Sequence, residues 1–471
     1  MADITNFSDR FRQLKLKLEV NYGTGMVDVS NYLTTGGISI LSSLTNDSYG
    51  IEISELECVL KIDNPDERFF NSDNQVVATV SISTDNFVTQ YDSVIFSGKT
   101  KTKKSKSDRQ VKIEAVSDID SIISKTPSSR DILTGSLTSV LGQIITNTTP
   151  TSYTLPTDVS AVTYLQNSNL ILKTHLEDFL TGWFGICNLQ NNQLVVKKLF
   201  DIFGSYTVKR VFPKNSITFE GFKDLNMNTN QYFTKVKVIG KNVSYINGGS
   251  LFSLTELFSN KIDANGTFFF TAPQEIGDFK FKSISSSTFK FRLLDDDVST
   301  DSTASVTLSS VIIATDDSGV MSLVYKFTNS SANDLYLREL SSVGIAIKIN
   351  GDIEETVKFS DEDKQLTLES FALQSYSQAE NLVDVISYIT GKFYKFEGLA
   401  YPDLQCGDIV TITLRDNSTL DCVISEIDKE FSLSKGFMAT YTVYSIPFNN
   451  WFAWGVPGRG WGQAPWFGKK L

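Results

Sequence analysis

The sequence predicts a mainly β protein with a smaller helical part, and three observations carry that prediction. Segments such as Gln13 to Val20, Val77 to Ile82 and Val410 to Leu414 alternate apolar and polar residues, the period of a half-buried strand. Phe (33) and Tyr (17) are abundant, and Ser, Thr and Asn crowd the connections, which favours strand over helix. Tyr401 to Asp408 carries Pro402-Asp-Leu and Cys406-Gly-Asp, turn chemistry that opens a run of antiparallel strands closing at Ile446. That run reads as a small β-barrel module.

From the N-terminus, strands are expected at 13–20, 51–60, 77–82, 93–98 and 111–116, an all-β first domain. Asp118 to Ser124 reads as a short capped helix that Pro127 ends, and 131–145 has apolar residues at helical spacing, from Leu133 to Ile145. A further helix begins with Thr174 as N-cap and Glu177 three residues on, and it runs to Gly182. Residues 183–199 form a hairpin turning at Gln190-Asn-Asn-Gln193, and 232–240 is a strand. The stretch 246–370 is rich in Ser, Thr, Asp and Phe. Evenly spaced strands at 267–271, 288–293, 305–308, 321–327 and 344–349 predict an inserted β-sandwich. A helix follows at 378–389, with Leu382, Val383, Val385, Ile386 and Ile389 on its apolar face, and leads into the module at 401–446. Residues 91–97 and 111–116 echo 420–425 and 440–444, Asp92 matching Asp421 before an apolar triplet.

The 471 residues suffice for about three domains. A net charge of −11 argues against general nucleic-acid binding, which rests on clustered Lys and Arg, while suiting a surface that DNA passes without sticking. Neither a signal peptide nor an apolar run of about 18 residues is evident, so no membrane segment is expected. Cys58, Cys187, Cys406 and Cys422 are widely spaced and read as buried thiols in a reducing cytoplasm.

Little suggests catalysis. His175 is the single histidine, which removes most triads and His-rich metal sites, and it reads as structural or surface-exposed. Ser97-Gly-Lys-Thr100 resembles the end of a phosphate loop but lacks the upstream glycine and lies on a hairpin. Asp295-Asp-Asp297, Asp301 and Asp316-Asp317 match no calcium-loop spacing and read as solvated loop acids. No cofactor, metal or catalytic residue is expected. Two candidate partner-binding features stand out. One is the basic run around Lys101, Lys103, Lys104 and Lys106, either a solvated hairpin tip or a contact for an acidic neighbour. The other is the Gly-rich tail 448–471 with Trp451, Trp454, Trp461 and Trp466, whose aromatic surface calls for burial against a partner or on the chain's own barrel.

The order of these elements resembles the baseplate hub, or tail hub, proteins of tailed bacteriophages and related injection machines. Phe96-Ser-Gly98 with 111–116 is similar to the end of the first tube-like barrel, and 174–185 to the short helix and glycine turn of the middle domain. Residues 233–240 resemble the strand leading into the second barrel. Gln374 to Ala379 with its helix, followed by 402–408, resembles the helix-to-barrel passage, and 328–340 an inserted sandwich of tail-tip proteins. The resemblance covers most of 1–447 in order. It departs in the insert's length and in lacking a fused peptidase or lysozyme segment, and 448–471 matches nothing in the family.

The resemblance implies two tube-like antiparallel β-barrels, a small α+β middle domain and an inserted β-sandwich. The division is 1–117 for the first barrel, 118–205 for the α+β domain, 206–245 with 371–447 for the second barrel, 246–370 for the insert and 448–471 for the tail. It further implies a non-enzymatic homotrimer in the virion, assembled in the host cytoplasm. Such a hub adapts a sixfold tail tube, or a distal tail protein, to a threefold spike, tip or fibre, and DNA transits its lumen. The competing functional class is a receptor- or carbohydrate-binding tail-tip protein acting through 246–370; a cell-wall hydrolase is disfavoured by the missing motifs.

Overall fold

The computed structural model describes residues 13–445, apart from 22, 24, 63–72, 84–89, 102–103, 108, 199–206, 214–222, 229–233, 256, 258, 273–278, 297, 316–320, 359–363, 389–392, 415–416 and 433–435. The chain is mainly β. A first unit holds β1 (Gln13–Asn21), β2 (Met26–Asp28), β3 (Leu33–Asn46), β4 (Tyr49–Lys61), β5 (Gln75–Ser83), β6 (Gln90–Thr100), β7 (Lys104–Ser107) and β8 (Gln110–Ser117). Its strand order is β2-β1-β5-β6-β8-β4-β3, antiparallel throughout, with β7 continuing the β6 side of β8. The alternation read from the sequence is the burial pattern found: Leu16, Leu18 and Val20 on β1 and Val111, Ile113 and Ala115 on β8 all point into one core.

The middle segment comprises α1 (Asp118–Ile123), β9 (Asp131–Ser136), α2 (Leu137–Thr148), β10 (Tyr153–Thr154), β11 (Ala161–Gln166), α3 (Leu172–Trp183), β12 (Ile186–Gln190) and β13 (Gln193–Lys197). Its hairpin turns at Asn191 and Asn192, both with positive φ. Three local expectations need correction. Residues 131–136 form a strand paired with β11, because Ser136 caps the helix through Ser139 N at 3.2 Å and so starts it later. Thr174 is not an N-cap, since α3 already begins at Leu172 and no side-chain cap bond is present. The turn after α3 is made by Phe184 at φ 48°, not by Gly182, which lies inside the helix; burial of the Phe184 ring holds that left-handed backbone.

The second unit starts with β14 (Arg210–Phe212) and β15 (Lys223–Asn228). An insert follows, and it begins at β16, within the stretch expected for the second barrel, because among the described residues that strand pairs only in the insert's own sheet: β16 (Lys235–Leu254), β17 (Lys261–Ile262), β18 (Thr267–Thr271), β19 (Phe279–Arg292), β20 (Val306–Thr315), β21 (Met321–Asn329), β22 (Leu335–Lys358) and β23 (Gln365–Glu369). Here one sheet built on the long β16–β22 pair faces a β18-β21-β20 sheet. Phe291 meets Phe327 at 5.2 Å between the sheets, and the Tyr325 hydroxyl lies 2.7 Å from Ser342 Oγ. Then α4 (Tyr376–Tyr388) buries Leu382, Val383 and Ile386, and β24 (Phe393–Leu399), β25 (Ile409–Thr413), β26 (Thr419–Ser432) and β27 (Gly436–Ser445) complete the unit.

The two units are joined by β3 pairing antiparallel with the far half of β26. The expected barrels are not closed by strand pairing among the described residues. The edge of β3 that could return to its own unit is taken by β26, and the apolar faces of both units merge into one core. All four cysteines are free and buried, as expected.

Candidate assembly interface

The two units share one wiring plan. In the first, the sheet order β3-β4-β8-β6-β5 uses strands met along the chain as β3, β4, β5, β6, β8. In the second, β15-β24-β27-β26-β25 uses β15, β24, β25, β26, β27, again antiparallel at every step. The whole insert and α4 occupy the place of the tight β3–β4 connection. Registers match as well: Glu55–Lys61 pairs with Val116–Gln110 as Phe393–Leu399 pairs with Tyr444–Met438. Gly98, Lys99 and Thr100 face Ser117, Val116 and Ala115 as Cys422, Val423 and Ile424 face Ser445, Tyr444 and Val443. The match ends at the next strand, where β1 is antiparallel to β5 but β14 is parallel to β25. The echo read from the sequence picked the right strands in the wrong register, for Ser97 rather than Asp92 occupies the position of Asp421. An aspartate before an apolar triplet marks a strand and not its phase.

The seam between the units runs along Ile38–Ser43 of β3 and Phe431–Glu426 of β26. Ile38, Ile40 and Ile427 are buried beneath it. Gly37 makes the approach possible, with φ +70° and a position where a Cβ would lie 1.7 Å from the Phe431 carbonyl oxygen. Behind the seam, the Tyr401–Asp408 turn ties the pieces together. Tyr441 donates its hydroxyl to Leu399 O at 2.7 Å and accepts from Tyr401 N at 3.3 Å. Lys209 Nζ meets Asp408 Oδ2 at 2.7 Å, and Arg210 lies over the Tyr401 ring and 3.3 Å from Asp403. The Cys406 thiol donates towards Ser425 O and Ser42 O, one on each unit. Two buried ionisable groups lie here too. Lys429 Nζ donates to Leu404 O at 2.9 Å, and burial lowers its pKa against the pull of Glu52. Burial pushes Glu52 up to about 7, opposed by Lys429 and by the Cys406 backbone.

On the face opposite the core, the continuous sheet is acidic. Glu55 and Glu57 of β4 and Asp428 of β26 are exposed, with Glu114 of β8 and Glu426 and Glu430 of β26 partly so; Lys101 and Lys112 answer them in part. The sequence carries a signal of this face: Ile53-Ser-Glu-Leu-Glu57 and Ile427-Asp-Lys-Glu430 each put acids on alternate positions, hence on one side of a strand. Lys101 of the basic run is exposed and pairs with Glu55 at 2.5 Å. Lys104 and Lys106 lie on β7, while Lys103 and all four tail tryptophans, Trp451, Trp454, Trp461 and Trp466, fall outside the described residues.

The groups that could suggest chemistry have structural partners. His175 is buried, its Nδ1 3.2 Å from the Tyr164 hydroxyl and its Nε2 3.3 Å from Asn167 O, and burial takes its pKa down to about 4. Asp295 accepts from the buried Arg338 at 3.1 Å, Asp296 accepts from Ser299 N at 2.7 Å, and Asp301 accepts from Thr303 N at 2.9 Å. Asp297, Asp316 and Asp317 lie outside the described residues. Among the described residues no cluster of His, Cys, Asp and Glu has metal-binding geometry.

No protein-family profile matches the chain, and no curated protein matches it by sequence. Solved structures do resemble it. A tail protein from Neisseria meningitidis MC58 shares 8% identity over 92% of this chain and 97% of its own, with a TM-score of 0.48. Prophage tail protein gp18 from Listeria monocytogenes EGD-e shares 10% over 91% and 94%, at 0.46. The prophage MuSo2 43 kDa tail protein from Shewanella oneidensis shares 10% over 91% and 98%, also at 0.46. All three are tail proteins.

Proposed function

We propose that this chain is a structural hub of a phage-type tail, a homotrimer whose paired units supply six similar places around a ring. The observation that carries the reading is the shared strand order, sense and register of the two units within one chain. A threefold assembly of a chain holding two equivalent units can meet a sixfold tube on one side and a threefold tip on the other, because each symmetry is already present in it. The partners are accordingly a second and third copy, a tail tube or distal tail protein, and a spike, tip or fibre. The acidic face of β3, β4, β8 and β26 supports a channel lining, since carboxylates repel phosphate and let DNA pass without adhesion. The Trp-rich tail acts as a clip on a neighbouring subunit. Nothing in this role requires catalysis, and the protein works in the virion, by geometry.

The test is solution mass followed by electron microscopy of the purified full chain. A particle of three 52.4 kDa chains, showing a ring with six similar density lobes, is the expected result. A species that remains monomeric at all concentrations, with and without tail-tube protein, overturns the reading.

A further inference from the structure

The equivalence of the units locates the contact between copies down to residue register. Within one chain, the first half of β26 is flanked by β25, and its second half, freed of β25, takes β3 as a new neighbour. The first unit repeats this arrangement. β6 is flanked by β5 as far as Lys99, and the chain then continues as β7, for which β8 is the sole partner among the described residues. β7 is therefore the counterpart of the seam half of β26, with no flanking strand among the described residues. On the second unit, β15 is the counterpart of β3, and β24 is its sole partner among the described residues. Among the described residues the chain thus carries one filled seam and the two halves of a second that no other strand fills. Unpaired strand edges of this kind are templates for another chain.

We infer that β7 of one copy pairs antiparallel with β15 of the next, in the register of the internal seam; this rests on the trimeric ring proposed above. The register follows from shared partners. Lys104 and Asp428 occupy equivalent places, facing Lys112 and Thr440, as do Ser105 and Lys429, facing Val111 and Ala439. Asn228 and Leu41 are equivalent, facing Phe393 and Glu55, as are Met227 and Ile40, facing Tyr394 and Leu56. Because Asp428 faces Leu41 and Lys429 faces Ile40, Lys104 faces Asn228 and Ser105 faces Met227 of the neighbouring copy. The joints then alternate around the ring, a strand with Glu426, Asp428 and Glu430 inside each chain and one with Lys104 and Lys106 between chains. The basic run so acquires a place in the assembly: it is the edge of the intersubunit strand.

The experiment is cysteine cross-linking of the full chain. Paired residues of neighbouring strands have Cα atoms about 4.5–5.5 Å apart, within reach of a disulfide. The double variant K104C/N228C is oxidised beside L41C/D428C, the same pair of positions on the internal seam, and beside K104C/K223C, which is out of register. The inference expects covalent trimers from K104C/N228C, at least tenfold fewer from K104C/K223C, and a cross-link within the single chain from L41C/D428C. A protein that is trimeric by mass, with L41C/D428C linking and K104C/N228C not, overturns this contact and leaves the ring standing. Persistent monomers overturn both. A link formed within one chain by K104C/N228C also rules the contact out.

Discussion

Replacing Gly37 with alanine tests whether the seam holds the two units together. The new Cβ would sit 1.7 Å from Phe431 O, 2.8 Å from Phe431 C and 3.0 Å from Ser432 Cα, where ordinary contact begins at 3.4 Å. All three obstacles are backbone, so relief requires β3 and β26 to part by about 1.7 Å. Holding alanine at φ +70° adds about 1 kcal/mol of strain. Each seam hydrogen bond lost adds about 0.5–1.5 kcal/mol, and partial exposure of Ile38 or Ile40 adds about 1 kcal/mol more. The total is about 3 kcal/mol or above. Gly36→Ala is the matched control, because its Cβ would meet only Thr34 Oγ1 at 3.8 Å without positive φ. Native-state hydrogen exchange is the assay. Amides of Ile38–Ser43 and Glu426–Phe431 should lose protection by about 100-fold in Gly37→Ala, the equivalent of about 3 kcal/mol. Those of Gly36→Ala should match the parent. Equal protection in the two variants would refute the seam's geometry as the coupling between units.

Buried Glu52 titrates near 7 when folded and near 4.5 when unfolded. The folded state therefore binds the proton more tightly, and stability relative to Glu52→Gln should fall as pH rises from 4.5 to 7, by up to about 3 kcal/mol in denaturant titrations. His175 has the opposite sign. Its folded value of about 4 lies below the unfolded 6.5, so its contribution is whole above 6.5 and is lost as pH falls towards 4. Stability relative to His175→Gln should accordingly drop by about 3 kcal/mol across that window. Converting Glu55, Glu57 and Asp428 to lysine should leave the melting temperature within about 2 °C, since exposed ion pairs are worth about 0–1 kcal/mol. Such a variant should retain duplex DNA in a salt-sensitive way that the parent does not, read by gel shift. Truncation after Asn450 should leave the circular dichroism spectrum and denaturation midpoint unchanged while reducing the trimer fraction in sedimentation; an unfolded product would assign the tail to the chain's own core.

Much of the fold was legible because alternation reports directly on which side of a strand faces the core. Val111, Ile113 and Ala115 are as buried as their spacing demands, and so are Tyr441 and Val443. The helix at 376–388, the Asn191-Asn192 hairpin and the four buried thiols follow from equally local chemistry. Local misreadings arose where tertiary packing outweighed propensity. Phe184 takes a left-handed turn that glycine could have made, and 131–136 extends along β11 despite its helical spacing.

The sequence by itself determined strand content and in–out phase, and it offered an echo between two strand sets whose register it did not fix. Tertiary structure decided which edges meet. A period of two names a face but not a partner, and a strand's neighbour is fixed by residues hundreds of positions away, as Leu41 is by Asp428. Only the assembled sheet could therefore reveal that Gly37 sits under Phe431, that Glu52 and Lys429 share a buried site, and that β7 and β15 each have a single strand partner among the described residues.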